Sequence, residues 1–417
     1  MAPDAGFPAR GARSSCRACG ESGLLPVVDL GRMPLADALL TPEQLGRPEP
    51  RYPLEVAFSP RCALVQILET VSPEILFGRD YPYYSSFSDV ILAHARRNAL
   101  ELVDSRRLDS GSLVVELGSN DGYLLKNFVE CGIPVLGIEP APGPARAAEA
   151  VGVRTRCEFF TRDLARDLEA EGMRADVVIG NNVLAHVADT DGVLDGIALL
   201  LKDDGVVVIE VPYVRDLIEK NEFDTIYHEH LCYFSVTSVA WLLGRHGLFV
   251  NAVRRLPVHG GSLRLYAAKR EAITESVRAL LAEEAALGMD QYPYYEGFAA
   301  RARRTAQALR ARLADVKRGG GRLAGYGAAA KGATLLNYAG IGAETLDFVV
   351  DRNVHKHGRY MPGVHLPIRH PSELLAKKPD YVLLLSWNFR DEVLAQQAEY
   401  RRRGGRFIIP IPALEVV

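Results

Sequence analysis

The apolar positions of this chain change period several times. From Ser112 the run S-L-V-V-E-L-G-S-N-D-G-Y-L-L reads as a strand buried on both faces, a glycine turn, and a helix. A second apolar strand, V-L-G-I-E-P, follows and ends in Glu139 and Pro140. Later come A-D-V-V-I-G-N-N-V-L-A-H (175–186) and D-D-G-V-V-V-I-E-V-P (203–212), two more buried strands. Strands alternating with helices in this way predict a parallel sheet in an α/β layer. After Val250, R-L-P-V-H-G-G-S-L-R-L-Y places a Gly-Gly turn before an alternating strand, and 272–317 has helical periodicity with a solvated charged face. A second strand–turn–helix opens with L-A-G-Y-G-A-A-A-K-G-A-T (323–334) and continues through L-D-F-V-V-D-R-N and Y-V-L-L-L-S-W-N. Ahead of all this, Asp89 to Asp104 has a helical pattern and Ala63–Leu68 an apolar strand.

These periods divide the 417 residues into segments. An N-terminal zinc-binding-type module covers 1–70, and an aromatic loop with a helical connector 71–108. A cofactor domain covers 109–250, a strand and helical connection 251–318, and a smaller Rossmann-like α/β domain 319–417. Two to four domains is what this length allows. Forty-nine Lys and Arg against 52 Asp and Glu give −3. That balance excludes binding of nucleic acid through bulk positive charge, and excludes a long acidic tail. No apolar run approaches the roughly 20 residues that span a bilayer. The first 15 residues hold no apolar h-region, so no secretory signal is expected. Six cysteines are too few for a disulfide scaffold, and the chain reads as cytoplasmic.

Three of those cysteines fall early. C-R-A-C-G brings Cys16 and Cys19 into a CxxC turn, and Cys62 closes S-P-R-C. Two such pairs form a tetrahedral zinc site, but position 59 is Ser, and a neutral hydroxyl is a poor zinc ligand. The site is completed by water or another side chain, or is weakened, or the CxxC is a reduced pair without metal. Any zinc there is expected to be structural. Cys131, Cys157 and Cys232 suggest no role. The stretch F-G-R-D-Y-P-Y-Y-S-S carries Phe77, Tyr81, Tyr83 and Tyr84. It reads either as rings packed on a core edge or as a loop reaching into a neighbouring active site.

The turn after the first central strand has Gly118 and Gly122, where backbone amides can approach a ligand at a helix start. It lacks the G-x-G-x-x-G dinucleotide fingerprint, and Glu116 and Asp121 bracket it. Acids there repel a diphosphate and favour a cationic ligand. Glu139, at the tip of the second strand, is placed to accept hydrogen bonds from a ribose. ELGSNDG, GIEP and DVVIGNNVLAH, in this order, resemble the class I S-adenosylmethionine-dependent methyltransferases. The resemblance implies a cofactor set of Glu116, Gly118, Asn120, Asp121, Gly122, Glu139, Asn181 and Asn182.

The stretch D-T-I-Y-H-E-H-L-C-Y-F-S follows the fifth strand on the ligand side of the sheet. His228, Glu229 and His230 do not form H-E-x-x-H, which excludes the zincin pattern. On a strand, 228 and 230 share a face; on a helix they diverge by about 200°. One histidine is expected to be a general base, oriented by Glu229 and the aromatics. Methylation of carbon beside a carbonyl needs a base and donors for the enolate oxygen, a demand that His230 with Tyr81, Tyr227 and His186 would meet. In the C-terminal third, Lys331 at a helix start is suited to a phosphate, with Gly325 and Gly327 either serving that site or only packing. Lys331, Tyr326 and His228 are the expected substrate-binding residues.

Taken together, the CxxCG module, ELGSNDG, YHEHLCYFS and GYGAAAKGAT with VDRN and KHGRYMPG resemble one family over essentially the whole chain. It is the sugar C-methyltransferase family of deoxysugar biosynthesis, and within it the C-3 methyltransferases that build branched sugars of antibiotics. The resemblance implies three domains, with the substrate between the last two. It implies that His230 removes the C-3 proton of a dTDP-4-keto-6-deoxy sugar. Tyr81 and Glu229 assist, and Tyr227 and His186 line the sugar site. S-adenosylmethionine and zinc are the implied cofactors, and Ser59 is the departure from the family's ligand set. The expected partner is a small nucleotide sugar, bound by a monomer, with no nucleic acid and no membrane. An O- or N-methyltransferase and a non-catalytic nucleotide-sugar binder are the competing readings.

Overall fold

The computed structural model describes residues 14–78 and 81–417. The question of a leader in the first 15 residues therefore falls almost wholly outside the described residues.

Three sheets organise the chain. The central one has seven strands, in the order Phe249–Leu256, Ser262–Ala268, Leu201–Pro212, Ala175–Asn181, Val114–Leu117, Val135–Ile138 and Thr155–Arg156. The last five are parallel; the first two form an antiparallel hairpin on Leu201–Pro212. Chain order reverses around Val114–Leu117, so its carboxyl end is the switch point where an α/β sheet opens a crevice. The expected domain boundary at 250 cuts through a strand. Leu263 and Leu265 pair with Val211 and Ile209, which carries the cofactor sheet to Ala268. The connector helix, Asp89–Arg106, also belongs to this layer. Its Ile91, Ala95, Ala99 and Leu102 form one apolar cluster with Leu124 and Phe128 of the cofactor domain.

The C-terminal sheet runs Ile368–Arg369, Val349–Val350, Leu323–Tyr326, Tyr381–Leu384, Arg406–Ile409 and Glu415–Val416, parallel except for the last pair. The helix Phe298–Arg318 leads into it. That helix buries Phe298, Ala302, Ala306, Leu309, Leu313 and Val316, a stripe at three- and four-residue spacing.

The N-terminal sheet is antiparallel: Leu25–Met33, Tyr52–Phe58 and Val65–Ile67, then a fourth strand from far along the chain, Cys232–Tyr233. The segment after His230 thus completes the sheet of the first module. Phe58 and Tyr295 bury their rings against each other with centroids 4.7 Å apart, and the apolar core runs unbroken from Cys16 to Ile411. No helix among the described residues is long and apolar enough to cross a membrane.

Arg17, inside the CxxC turn, is buried and donates to the carbonyls of Ile67 and Glu69 and to the Thr70 hydroxyl. Its own carbonyl accepts from the Thr190 hydroxyl at 3.3 Å, which links the turn to the central domain. Replacing Arg17 with Met should cost about 2–4 kcal/mol, because buried carbonyls lose charge-assisted donors. Urea unfolding would read this as a lower midpoint; a midpoint equal to that of the parent would remove Arg17 from the set of residues holding the module together.

Candidate active site

A cavity of about 720 Å³ opens at the switch point and extends to the C-terminal domain. Its cofactor end is built by the turn after Val114–Leu117. Gly118 has φ +59°, and a Cβ there would meet Val183 Cγ2 at 2.7 Å, so glycine is required both by conformation and by space. Gly122 ends the turn with φ +76°. Glu139 is buried and accepts from the amides of Asn120 and Ala141, both at 2.8 Å. Burial pushes its carboxyl up, and those two amides oppose the shift. Asn181 and Asn182 line the same end. Asn181 Oδ1 is buried there without a partner, and Ser119 Oγ, behind the cavity wall, also has none. Unpaired polar atoms, an acid at the second strand tip and a glycine cradle fit a polar nucleoside-bearing cofactor with a cationic centre.

Of the other expected cofactor residues, Asn120 also lines the cavity, and Glu116 and Asp121 do not. Glu116 is fully buried beneath the turn, does not line the cavity, and has both oxygens unpaired. Burial first, then Glu139, raises its carboxyl well above the usual range. Asn120 Oδ1 accepts from Ser85 N at 2.9 Å and its Nδ2 donates to the Tyr83 carbonyl. Asp121 accepts from the amide and hydroxyl of Ser86. These two side chains moor the aromatic loop to the cofactor turn. Of the two readings of that loop, the structure takes the second: Tyr81, Tyr83 and Tyr84 line the cavity.

The acid–base cluster forms the middle wall. His230 Nδ1–H donates to the Thr225 carbonyl at 2.9 Å, which leaves Nε2 with its lone pair. The Tyr227 hydroxyl donates to that Nε2 at 2.7 Å, with ring centroids 4.0 Å apart. His186 meets the His230 ring edge-on at 4.9 Å. Burial holds His186 down at about 4, and burial followed by His186 holds His230 well below its ordinary value. Both rings are neutral at pH 7. Glu229 faces the cavity and is raised by burial, then by Asp37, with Lys356 opposing.

His228 is the correction. Residues 228–230 form a turn, neither strand nor helix, so neighbouring side chains diverge. His228 Nε2 bonds the Pro53 carbonyl at 3.0 Å, its ring meets Tyr52 edge-on, and it does not line the cavity. It is tied to the N-terminal module and lies outside the cavity lining.

The C-terminal domain closes the far end with Tyr326 and Lys331. Tyr326 is half-committed, with its hydroxyl 3.4 Å from Gln396 Oε1. Asn353 donates to the Pro82 carbonyl at 2.8 Å and His355 stacks on Tyr84 at 4.4 Å, so this domain also grips the aromatic loop. Asp37, His259 and Lys356 line the cavity too and were not foreseen. The H-G-G turn carried a signal for His259; a lone acid in an N-terminal module carried none for Asp37.

In the first module the sulfurs of Cys16, Cys19 and Cys62 lie within 4.8 Å of one another. Ser59 Oγ is 3.4 Å from Cys19 Sγ and 3.5 Å from Cys62 Sγ, at the corner where a fourth thiolate would stand. Hydrogen bonding from Cys62 draws the Cys16 thiol down to about 5 and pushes that of Cys62 up, as in a pair sharing one proton.

Comparison with known proteins matches three family descriptions in sequence: "Putative zinc binding domain" over 16–77, "Methyltransferase domain" over 91–253, and "C-methyltransferase C-terminal domain" over 257–412. C-methyltransferase NovU of Streptomyces niveus is 38% identical over 405 residues, 96% of each chain. This chain belongs to the C-methyltransferase family. The family resemblance read from its motifs is the one these matches point to. A ubiquinone biosynthesis O-methyltransferase of Azorhizobium caulinodans is 27% identical over 125 residues, 29% of this chain and 47% of that one. Magnesium protoporphyrin IX methyltransferase of Synechocystis, solved with bound S-adenosylmethionine, overlaps 44% of this chain and 82% of its own at 16% identity and TM-score 0.33. The C-methyltransferase is S-adenosylmethionine-dependent and has the α/β architecture expected from its strand pattern.

The cofactor turn of this C-methyltransferase rests on Gly137, where a Cβ would lie 2.5 Å from Ser119 Oγ and 3.0 Å from Ser119 Cβ. Gly137→Ala must push Ser119 and the turn outward. Calorimetric titration with S-adenosylmethionine should show affinity weakened roughly tenfold, the equivalent of about 1.4 kcal/mol of overpacking. Unchanged affinity would mean that Ser119 moves without disturbing the cofactor.

Proposed function

We propose that this enzyme methylates C-3 of a dTDP-4-keto-6-deoxy sugar through an enolate, in the biosynthesis of branched deoxysugars such as those of antibiotics. The observation that carries the reading is the His230 ring. Its Nδ1–H is committed to the Thr225 carbonyl, and its Nε2 is left as a buried, unprotonated base on the wall of the cavity. A keto group at C-4 acidifies the hydrogen at C-3, and Nε2 accepts that proton. The Tyr227 hydroxyl now bonded to Nε2 turns to a sugar oxygen or passes the proton on; either way the proton ends on Nε2. Tyr81, His186 and Glu229 border the same space, as donors or as walls that exclude water. S-adenosylmethionine, when bound, supplies a methyl group on a sulfonium, which the enolate carbon attacks. Glu139 is assigned to its ribose, Gly118 and Gly122 to close backbone approach, and Asn181 and Asn182 to the polar contacts around it. The nucleotide sugar, bound by a monomer, lies toward Lys331 and Tyr326.

The test is the product, identified by mass and NMR, from S-adenosylmethionine and a panel of dTDP-4-keto sugars. Deuterium should enter C-3 in D₂O without cofactor. His230→Asn should slow exchange and methylation together by about 10²–10⁴-fold while cofactor affinity stays within about twofold. An O-methyl product without exchange would sink the enolate mechanism. A methyl group on C-5, which the same keto group acidifies, would overturn the C-3 assignment.

We also propose a structural zinc ion held by Cys16, Cys19 and Cys62. Ser59 Oγ at the fourth corner supports it. Metal analysis of the purified protein should give about one zinc per chain, retained more firmly against chelator in Ser59→Cys. Protein free of zinc, with Ser59→Cys no different, would leave the three thiols as a reduced cluster.

A further inference from the structure

The segment 222–230 does more than carry His230. Its Ile226 carbonyl accepts from the Thr334 hydroxyl at 3.1 Å. Its Asp224 Oδ2 accepts from Trp387 Nε1 at 2.7 Å. Thr334 lies on the helix Ala330–Ala339, and Lys331 is three residues earlier on the same face. The helix face that docks on the His230 segment therefore carries Lys331 toward it.

Lys331 is unusual among the cations of the molecule. Its Nζ lies over the Trp387 ring, 4.7 Å from the centroid, and the residue lines the cavity. Among the described residues that ammonium makes neither a hydrogen bond nor an ion pair, so its three donors remain to be used. Near it stand Glu222 and Asp224, 3% and 0% exposed, each with one carboxyl oxygen that has no partner among the described residues. Burial raises these two acids to about 7 and about 6, and Lys331 is the leading influence that opposes the rise. A half-buried cation at the cavity wall, with acids near it and its hydrogen-bond donors unused, is suited to a developing oxyanion.

We infer that Lys331 is the electrophile for the enolate: its ammonium holds the C-4 oxygen as negative charge develops there, with Glu222, Asp224 and Trp387 as positioning residues. This deepens the enolate reading given above and rests on it, and it moves Lys331 from phosphate anchor to reaction centre. The step balances without any further reagent. His230 Nε2 takes the C-3 proton, and the C–H electron pair becomes the C-3–C-4 double bond. The carbonyl π pair moves to the oxygen beside Lys331. When C-3 forms its bond to the methyl carbon, the sulfur–methyl pair stays on sulfur and the C-4 carbonyl reforms. The proton leaves His230 for solvent.

The experiment is deuterium exchange at C-3 of a dTDP-4-keto-6-deoxy sugar, at saturating sugar and without S-adenosylmethionine. The wild-type enzyme, Lys331→Met and Asp224→Asn are compared, with binding of dTDP alone measured in parallel. Lys331→Met should lower exchange about 10²–10³-fold while affinity for dTDP changes less than about threefold. A tenfold loss of dTDP affinity with exchange intact at saturation would overturn the inference and restore the phosphate role. Should Lys331→Met fail to fold, Asp224→Asn carries the test. The groups facing Lys331 are Glu222, Asp224, His230 and His259, and only the two acids favour its charged form. Removing one acid should shift the alkaline limb of the exchange profile to lower pH, and an unmoved limb would overturn the assignment. Exchange missing from the wild-type enzyme would refute the enolate mechanism itself; exchange present there but unaltered in both variants would refute the role of Lys331 alone.

Discussion

The hydrogen bond from His230 Nδ1 to the Thr225 carbonyl is the interaction on which the site depends. It fixes the tautomer, and with it the nitrogen that faces the reaction space. A carbonyl can do this only if its own segment cannot move. The chain on either side is secured to both flanking domains. Leu231 accepts from Ile67 N at 2.9 Å, and Cys232 and Tyr233 pair with Gln66 and Val65, which makes the segment a strand of the first module. Toward the other end, Ile226 and Asp224 are held by Thr334 and Trp387 of the last domain. The His230 segment therefore belongs to no single domain, and the orientation of its ring depends on the assembly of all three.

The electrostatics follow from burial. Away from water, neutral imidazole is favoured over imidazolium and neutral carboxyl over carboxylate, and the cavity carries both consequences. His186 and His230 are pushed toward the neutral ring, and Glu116 and Glu229 toward the neutral carboxyl. His186, His230 and Glu229 border the cavity, while Glu116 lies buried beneath the cofactor turn. Acids near the cofactor turn also hold structure, Asp121 the aromatic loop and Glu139 the turn backbone. The loop thereby becomes a shared wall, tied to the cofactor turn by Asn120 and to the C-terminal domain by Asn353. Cofactor and substrate ends of the cavity cannot be shaped independently.

Local patterns determined a great deal. Continuous apolar runs announced the buried parallel strands, and glycine and acid placement marked the switch-point turn, because those features follow from backbone sterics and burial within a few residues. The CxxC turn and Cys62 were legible as thiol donors. His230, Tyr227, Tyr81 and His186 were legible as candidates, since few residue types can do this chemistry. The sequence could not bring them together, assign the tautomer of His230, or turn His228 away toward Pro53. Those outcomes depend on which distant carbonyl each ring meets, and no short-range periodicity encodes that. The same holds for Asp37 and for the tethering roles of Asn120 and Asp121. Residue chemistry and local conformation were written in the chain itself; pairing, burial and charge state were decided only when strands and helices hundreds of residues apart closed around one cavity, because hydrogen-bond partners and desolvation are properties of that enclosure.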